Sequence, residues 1–291
     1  MPIPVLYCRD PLNPRRVDEH FAQEAQEVRA CGGVVGLVDH DALLQGDAEQ
    51  AVAQVPAGLG SAWYRGWMIP GDRYPALAEA LSRRGTPLLV APEQYRAAHE
   101  LPGWYPKFVD ITPASVWRPT EPGEVLAAED LAVLAEPLAP GPGIVKDYVK
   151  SRKHEWEQAC FVPELADAAG LARIVRRFVE LQEEFLAGGI VLRSFEEFSK
   201  PESVATEARV WWLDGEPRLV TPHPDDPFER GPVPDLGQIV SAVRSLGCRF
   251  VTTDVALRSD GMWRVVEVGD GQVSDLPPSS RGELAALLVG P

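Results

Sequence analysis

The chain has 291 residues, 45% hydrophobic and 24% charged, enough to bury a core as one large domain or as two or three lobes. Its 43 acidic against 28 basic residues give a formal charge of −15, which argues against nucleic acid as the main partner, because a polyanion is repelled before contact. No run approaches the roughly 20 apolar residues of a membrane span. The N-terminal "MPIPVLYCRD" lacks a signal-peptide pattern, and Cys8, Cys31, Cys160 and Cys248 show no paired spacing, so neither zinc nor a disulfide framework is expected and the cytoplasm is the expected setting.

The first third alternates between strand and helix. "PVLYC" and "VVGLVD" read as strands around the helix "VDEHFAQEAQEVRACGG", which Gly32 and Gly33 stop. "SAWYRGWMI" reads as a third strand, "DRYPALAEALSRRG" as a helix ending at Gly85, and "PLLV" as a fourth strand. This order predicts a small parallel sheet with helices on its faces. The Pro-, Trp- and Tyr-rich stretch from Ala91 to Pro122 reads as an irregular connector, with a domain boundary near Thr120.

Beyond that boundary, "GIVKDYV" and "GGIVLRSF" read as strands flanking a helix from about Ala166 to Leu186, whose Leu171, Ile174, Val175, Phe178, Leu181 and Phe185 form one apolar face. Two hairpins with Asp-Gly turns follow, "EARVWWLDGEPRLV" and "FVTTDVALRSDGMWRVVEV". Between them lies the helix "DLGQIVSAVRSLG", with Asp235 as its expected N-cap. Strands returning by hairpins make antiparallel sheet, so this half is α+β.

Three features carry chemistry. Lys146, Lys150, Arg152, Lys153 and His154 crowd into nine positions of an acidic chain. Read as extended, "IVKDYVK" puts Lys146, Tyr148 and Lys150 on one face, suited to a polyphosphate or else to a solvated basic edge. In the last hairpin, a two-residue turn at Asp260-Gly261 sets Asp254 opposite Glu267, a like-charge conflict that a divalent cation such as Mg2+ would relieve. Asp270, between two glycines, is a candidate third oxygen ligand. Glu207, Arg209 and Trp211 share a face, so Arg209 either pairs with Glu207 or reaches a terminal phosphate. The P-loop, Rossmann, HExxH and GxSxG patterns are absent from the sequence.

The order of these parts resembles the ATP-grasp superfamily, and "KDYVKS" with "VLR" is similar to its clade with a second lysine. The resemblance extends over most of the chain, including "YRGWM" and "PEQYRAAHELPGWY". It implies an α/β N-terminal lobe over residues 1–120, then α+β ATP-grasp subdomains over 121–291, with a lysine lobe to 195, a metal-binding lobe from 196, and a nucleotide held between two sheets. It implies ATP and Mg2+ as cofactors, Lys146 and Lys150 at the phosphates, and the hinge backbone around Arg193, Ser194 and Phe195 at adenine. It further implies Glu197 at the ribose, Arg209 at the γ-phosphate, and Asp254 and Glu267 at the metal. Gly269 departs from the family's usual Glu-x-Asn, which leaves the third ligand to Asp270 or water, and Ser194 stands where many relatives have Glu.

The implied reaction joins a carboxylate to an amine, on a small molecule or peptide, through an acyl phosphate. Lys150 and Arg209 would neutralise charge, and Arg65, flanked by aromatic residues, would receive the substrate carboxylate or else stack on Trp63 or Trp67. Tyr95, His99 and Tyr105 are candidates to line the cleft, and the loop at His223 to cover it. Phosphoryl transfer to a hydroxyl, and a nucleotide-binding module without catalysis, are the alternative readings. The sequence leaves oligomeric state open; homodimers are frequent in the family.

Overall fold

Val5, Leu6, Tyr7 and Cys8 are all buried, and an unbroken apolar run of this kind suits the centre of a parallel sheet covered on both faces. The computed structural model describes residues 2–198, 207–223 and 233–290. Strand β1 (Val5–Cys8) lies between β2 (Val35–Val38) and β3 (Trp63–Arg65), parallel to both, with Val5 opposite Val35 and Trp63. The helix Ala22–Ala30 connects the first two strands and ends at Gly32, whose φ of +79° only glycine adopts without strain. "PLLV" makes one isolated bridge, Leu88 to Ala62, and no fourth strand.

This sheet belongs to a unit of residues 1–98, 200–255 and 267–291; residues 99–199 and 256–266 form a second. The expected boundary near Thr120 therefore falls inside the second unit. The expected connector is not irregular: it holds helices Pro92–His99 and Leu101–Phe108 and strand β4 (Ser115–Pro119). Proline deceives here, because Pro92 and Pro102 stand in first turns, where a missing N–H and a fixed φ favour the helix.

The second unit contains an antiparallel sheet in the order β4, β7 (Gly189–Ser194), β5 (Gly143–Asp147), β6 (Phe161–Val162). Against it packs the helix Ala168–Gln182, capped by the Asp167 carboxylate on Gly170 N–H (3.1 Å), with Leu171, Ile174, Val175, Phe178 and Val179 buried. The other four strands order as β11 (Trp263–Asp270), β10 (Phe250–Leu257), β8 (Glu207–Leu213), β9 (Glu216–Pro222). Asp214 and Gly215 take φ of 52° and 78°, the left-handed pair a tight hairpin needs. The ladder shifts register between Trp211 and Trp212, leaving Arg218 of β9 as the extra residue; both tryptophans are buried, with Trp211 Nε1 on Thr221 Oγ1 (3.4 Å) and Trp212 Nε1 on Thr253 Oγ1 (3.0 Å). Among the described residues no helix is long and apolar enough to cross a membrane.

Arg65, expected to meet substrate, is a core residue with 1% of its surface exposed. Its Nε and Nη2 donate to Glu24 Oε1 and Oε2 (2.8 and 2.7 Å), and Nη1 donates to the carbonyls of Gly271, Gln272 and Ser274 (2.8, 3.2 and 2.9 Å). The guanidinium lies over Trp211, not over Trp63 or Trp67. With its donors turned inward, it holds the segment after β11 to the first sheet. Truncating one partner of such a pair leaves a buried charge uncompensated. Glu24→Ala is expected to lower unfolding stability by about 3–5 kcal/mol. Urea unfolding checks this as a lower midpoint at unchanged slope.

Candidate active site

Strands β8 and β10 are neighbours, and their inward polar residues meet. Arg209 Nε donates to Asp254 Oδ1 (2.7 Å) and Nη2 to Asp254 Oδ2 (2.8 Å), a bidentate pair, while Nη1 donates to Asp275 O (2.9 Å). His223, near the end of β9, places Nε2 3.4 Å from Asp254 Oδ2. Burial alone would raise the Asp254 pKa; the Arg209 guanidinium and His223 overcome it and hold the carboxyl well below the usual range. Burial works against a charged His223, and Asp254 more than offsets it, raising the imidazole pKa. Glu267 and Asp275 add their fields at Arg209, so one arginine stands among three carboxylates. The loop beyond His223, expected as a cover, continues into residues 224–230, outside the described residues.

The hairpin turn is not the two-residue turn expected. Arg258 N donates to Met262 O and Gly261 N to Arg258 O (both 2.9 Å), a three-residue loop with Gly261 at φ +85°. At the open end Gly271 N donates to Phe250 O (3.0 Å), as the expected count requires. Between these bonds β11 therefore carries one residue more than β10, which an irregularity in the ladder accommodates.

Asp270, expected as a third ligand, does not join the pair. It is fully buried, its Oδ1 accepts from Gln272 N (2.9 Å), and its charge is felt at Tyr74 and Cys248. Its Oδ2 has no partner, and burial pushes the carboxyl up to about 7. Among the described residues no three His, Cys, Asp or Glu side chains are grouped to hold a metal ion. Two carboxylates remain, and two suffice for Mg2+, which keeps several waters.

In the second unit the chain does not stay extended through "KDYVK". β5 ends at Asp147 and turns, and Ser151 returns to bridge Lys146. Lys146 is buried and Lys150 exposed, so they do not share a strand face. His99, buried at the end of its helix, senses both: burial first, then Lys150 and Lys146, push its imidazole down to about 4.

At the hinge, the amides of Ser194 and Phe195 donate to Ala114 O (2.8 Å) and Pro142 O (3.0 Å). The Arg193 side chain is not aimed at a ligand: it donates to Ser115 Oγ (3.0 Å) and Val266 O (2.6 Å) and lies over Trp104. Glu197 is exposed. Glu196, which sequence reasoning passed over, receives Arg258 Nη1 (3.0 Å) and Arg264 Nε and Nη2 (3.0 and 2.8 Å). Its only sequence signal is an acidic residue following an apolar strand. Phe195, Phe161 and Trp156 pack their rings together beside it, with Trp156 and Phe161 stacked at 5.3 Å.

Residues 134–288 match the model of the ATP-grasp domain, clade family 3, and the chain belongs to that family. No curated protein matches its sequence. Solved structures share the fold over nearly the whole chain. The ATP-grasp ligase PsnB, complexed with minimal precursor, Mg and ADP, is similar at 15% identity and a TM-score of 0.57, covering 98% of this chain and 97% of its own. The D-cycloserine synthetase DcsG is 16% identical with a TM-score of 0.59, covering 97% of both chains. A RimK domain ATP-grasp protein from Sphaerobacter thermophilus is 13% identical with a TM-score of 0.59, covering 98% of this chain and 100% of its own. At these identities the likeness is one of fold, and the fold is ATP-grasp.

The buried Asp270 gives this region a pH signature. Its folded pKa lies above that of the unfolded chain, so the folded state binds the extra proton between about pH 4 and pH 7. Native stability should fall as pH rises through that window and level off above it. Asp270→Asn is expected to flatten this dependence, so that variant minus native stability grows with pH by on the order of a few kcal/mol. Thermal midpoints of both proteins from pH 4 to 8 check it.

Proposed function

We propose that this protein is an ATP- and Mg2+-dependent ligase that joins a carboxylate to an amine. The observation that carries the reading is the Arg209–Asp254 pair with Glu267 close by, which sets a phosphate-binding cation against carboxylates suited to a metal. Family membership supports it. Bound ATP would supply a phosphoryl group that activates the carboxylate as an acyl phosphate, and Mg2+ would draw charge from its phosphates.

The chain's own residues then bind, neutralise and orient. Lys146 and Lys150 bind the phosphates as point charges. Arg209 leaves Asp254 for the terminal phosphate, where it stabilises charge during transfer, and Asp254 and Glu267 hold the cation. The hinge amides of Ser194 and Phe195 are already bonded, so donation to the adenine edge moves to the backbone N–H groups of Glu196 and Glu197, and the Glu197 carboxylate reaches the ribose. With Arg65 and Arg193 both used inside the protein, neither is assigned to substrate or cofactor through its side chain.

The acid is a small molecule or a peptide. Similar structures include a ligase complexed with a precursor peptide and a D-cycloserine synthetase, so both classes belong in the substrate panel. The sequence expectation of a cytoplasmic setting accords with an intracellular supply of ATP.

Incubation with ATP, Mg2+ and paired panels of carboxylates and amines, followed by measurement of ADP, free phosphate and amide, tests the reading. ADP and phosphate should appear in equal amounts with the amide, and Glu267→Gln and Lys146→Ala should each lower kcat by about a hundredfold or more. ADP without free phosphate would replace the ligase with a kinase. Nucleotide binding without turnover across the panels would leave a binding module.

A further inference from the structure

Asp147 is the last residue of β5 and is buried, yet its carboxylate is among the most heavily bonded in the chain. Oδ1 accepts the N–H of Val149 (2.7 Å) and of Lys150 (2.5 Å). Oδ2 accepts Gln182 Nε2 (2.6 Å) and Ala187 N (3.3 Å). Asp147 N donates to Lys150 O (2.9 Å), which closes a reversal of four residues and lets Ser151 bridge back to Lys146.

The reversal is clasped from outside as well. Tyr148 N donates to Ala187 O (3.1 Å), and Leu101 N to Tyr148 O (2.9 Å). Gly188, at φ +71°, lies against the Tyr148 ring so closely that a Cβ there would come within 2.3 Å of it. That glycine is required by both conformation and space.

The turn decides where the second lysine goes. Were the strand to continue, four residues at about 3.3 Å each would carry the Lys150 backbone some ~13 Å from Lys146. Folded back, Lys150 precedes a residue paired directly with Lys146, and pairing brings Cα atoms to about 5 Å. The buried imidazole of His99 feels both ammonium groups.

We infer that Asp147 is a positioning residue for phosphate binding: its carboxylate fixes the reversal that brings the Lys150 backbone back beside Lys146, so that both lysine side chains start from one end of β5 and reach the same polyphosphate. This rests on the nucleotide reading proposed above. It also accounts for a buried carboxylate beside two lysines that themselves serve an anion. Asp147 does not itself meet the ligand: its carboxylate is taken up by four hydrogen bonds and shapes the backbone on which the lysines are mounted.

Calorimetric titration with ADP and with adenosine, both in Mg2+, separates positioning from general structural support. Adenosine lacks the phosphates, so the ratio of the two affinities isolates the lysines' contribution. In the native protein ADP binds more tightly. Lys150→Ala and Asp147→Ala should each shrink the ratio by about tenfold, the scale of one charge-assisted hydrogen bond. The double variant should shrink it no further than either single one.

A native ratio in Asp147→Ala, or losses that multiply in the double variant, would overturn the positioning role. If Asp147→Ala fails to fold, Asp147→Asn decides. Asparagine keeps an oxygen for the two turn amides but cannot accept from Ala187, so it should melt earlier with the native ratio intact, and a collapsed ratio there overturns the inference. Native protein that binds neither ligand defeats the nucleotide reading, and the positioning role with it.

Discussion

Arg209 and Asp254 face each other from neighbouring strands, with both carboxylate oxygens engaged and His223 added at one of them. Little water reaches them, so neither charge is tolerable alone, and removing one partner of such a pair typically costs about 3–5 kcal/mol. In the proposed reaction the pair is exchanged. Arg209 would exchange Asp254 for a phosphate, and Asp254 would exchange Arg209 for a divalent cation. Each charge keeps an opposite neighbour throughout, which is how a buried ion pair is opened without leaving either member bare. Glu267 and Asp275 favour such an exchange, because further carboxylates near Arg209 add negative charge that would attract a cation.

The same rule governs the other buried guanidinium. Arg65 is sealed by Glu24 and by three carbonyls from Gly271 to Ser274. Arg209 accepts the next link, because its Nη1 donates to Asp275 O. Two arginines thus grip one short segment from successive positions, so the backbone after β11 is fixed by hydrogen bonds from guanidinium groups to its carbonyls. Arg65 contributes to the site by anchoring this segment and has no donors directed at a substrate.

Much of the framework was legible in the sequence because it depends on local patterns. Apolar runs located β1, β2, β5 and β7, an apolar face marked the helix Ala168–Gln182, and Asp214-Gly215 supplied the tight turn of the β8–β9 hairpin. What was missed depends on partners distant in the chain. Arg65 between aromatic residues reads equally as a ligand or a core residue, and Glu24, 41 residues away, decides the matter. "KDYVK" alternates like a strand, but Gln182 and Ala187 help Asp147 to turn it. Pro92 and Pro102 looked like breakers because nothing local says whether a proline falls inside a helix or at its start. The pairing of Arg209 with Asp254 was foreseen only as two separate roles, since each residue's neighbour lies on another strand.

The departure from Glu-x-Asn at Gly269 has a steric basis. A Cβ at Gly269 would lie 3.0 Å from Thr252 Oγ1 and 3.3 Å from Ser274 Oγ, and those two hydroxyls bond each other at 2.7 Å. The space an asparagine side chain would enter is thus held by a hydroxyl pair, and Gly269 is the residue that leaves it undisturbed. Ser274 Oγ also donates to Asp270 O (2.9 Å), so the pair closes the turn that follows β11. Gly269 thus leaves room for a tight turn, and that turn is the segment both buried arginines hold. Asp254 and Glu267 would hold the proposed metal with water and phosphate as further oxygens, which suits Mg2+ because it dehydrates reluctantly. On the proposed reading Asp254 and Glu267 would carry the metal alone, on a backbone that Arg65, Arg209 and the Thr252–Ser274 bond hold in place.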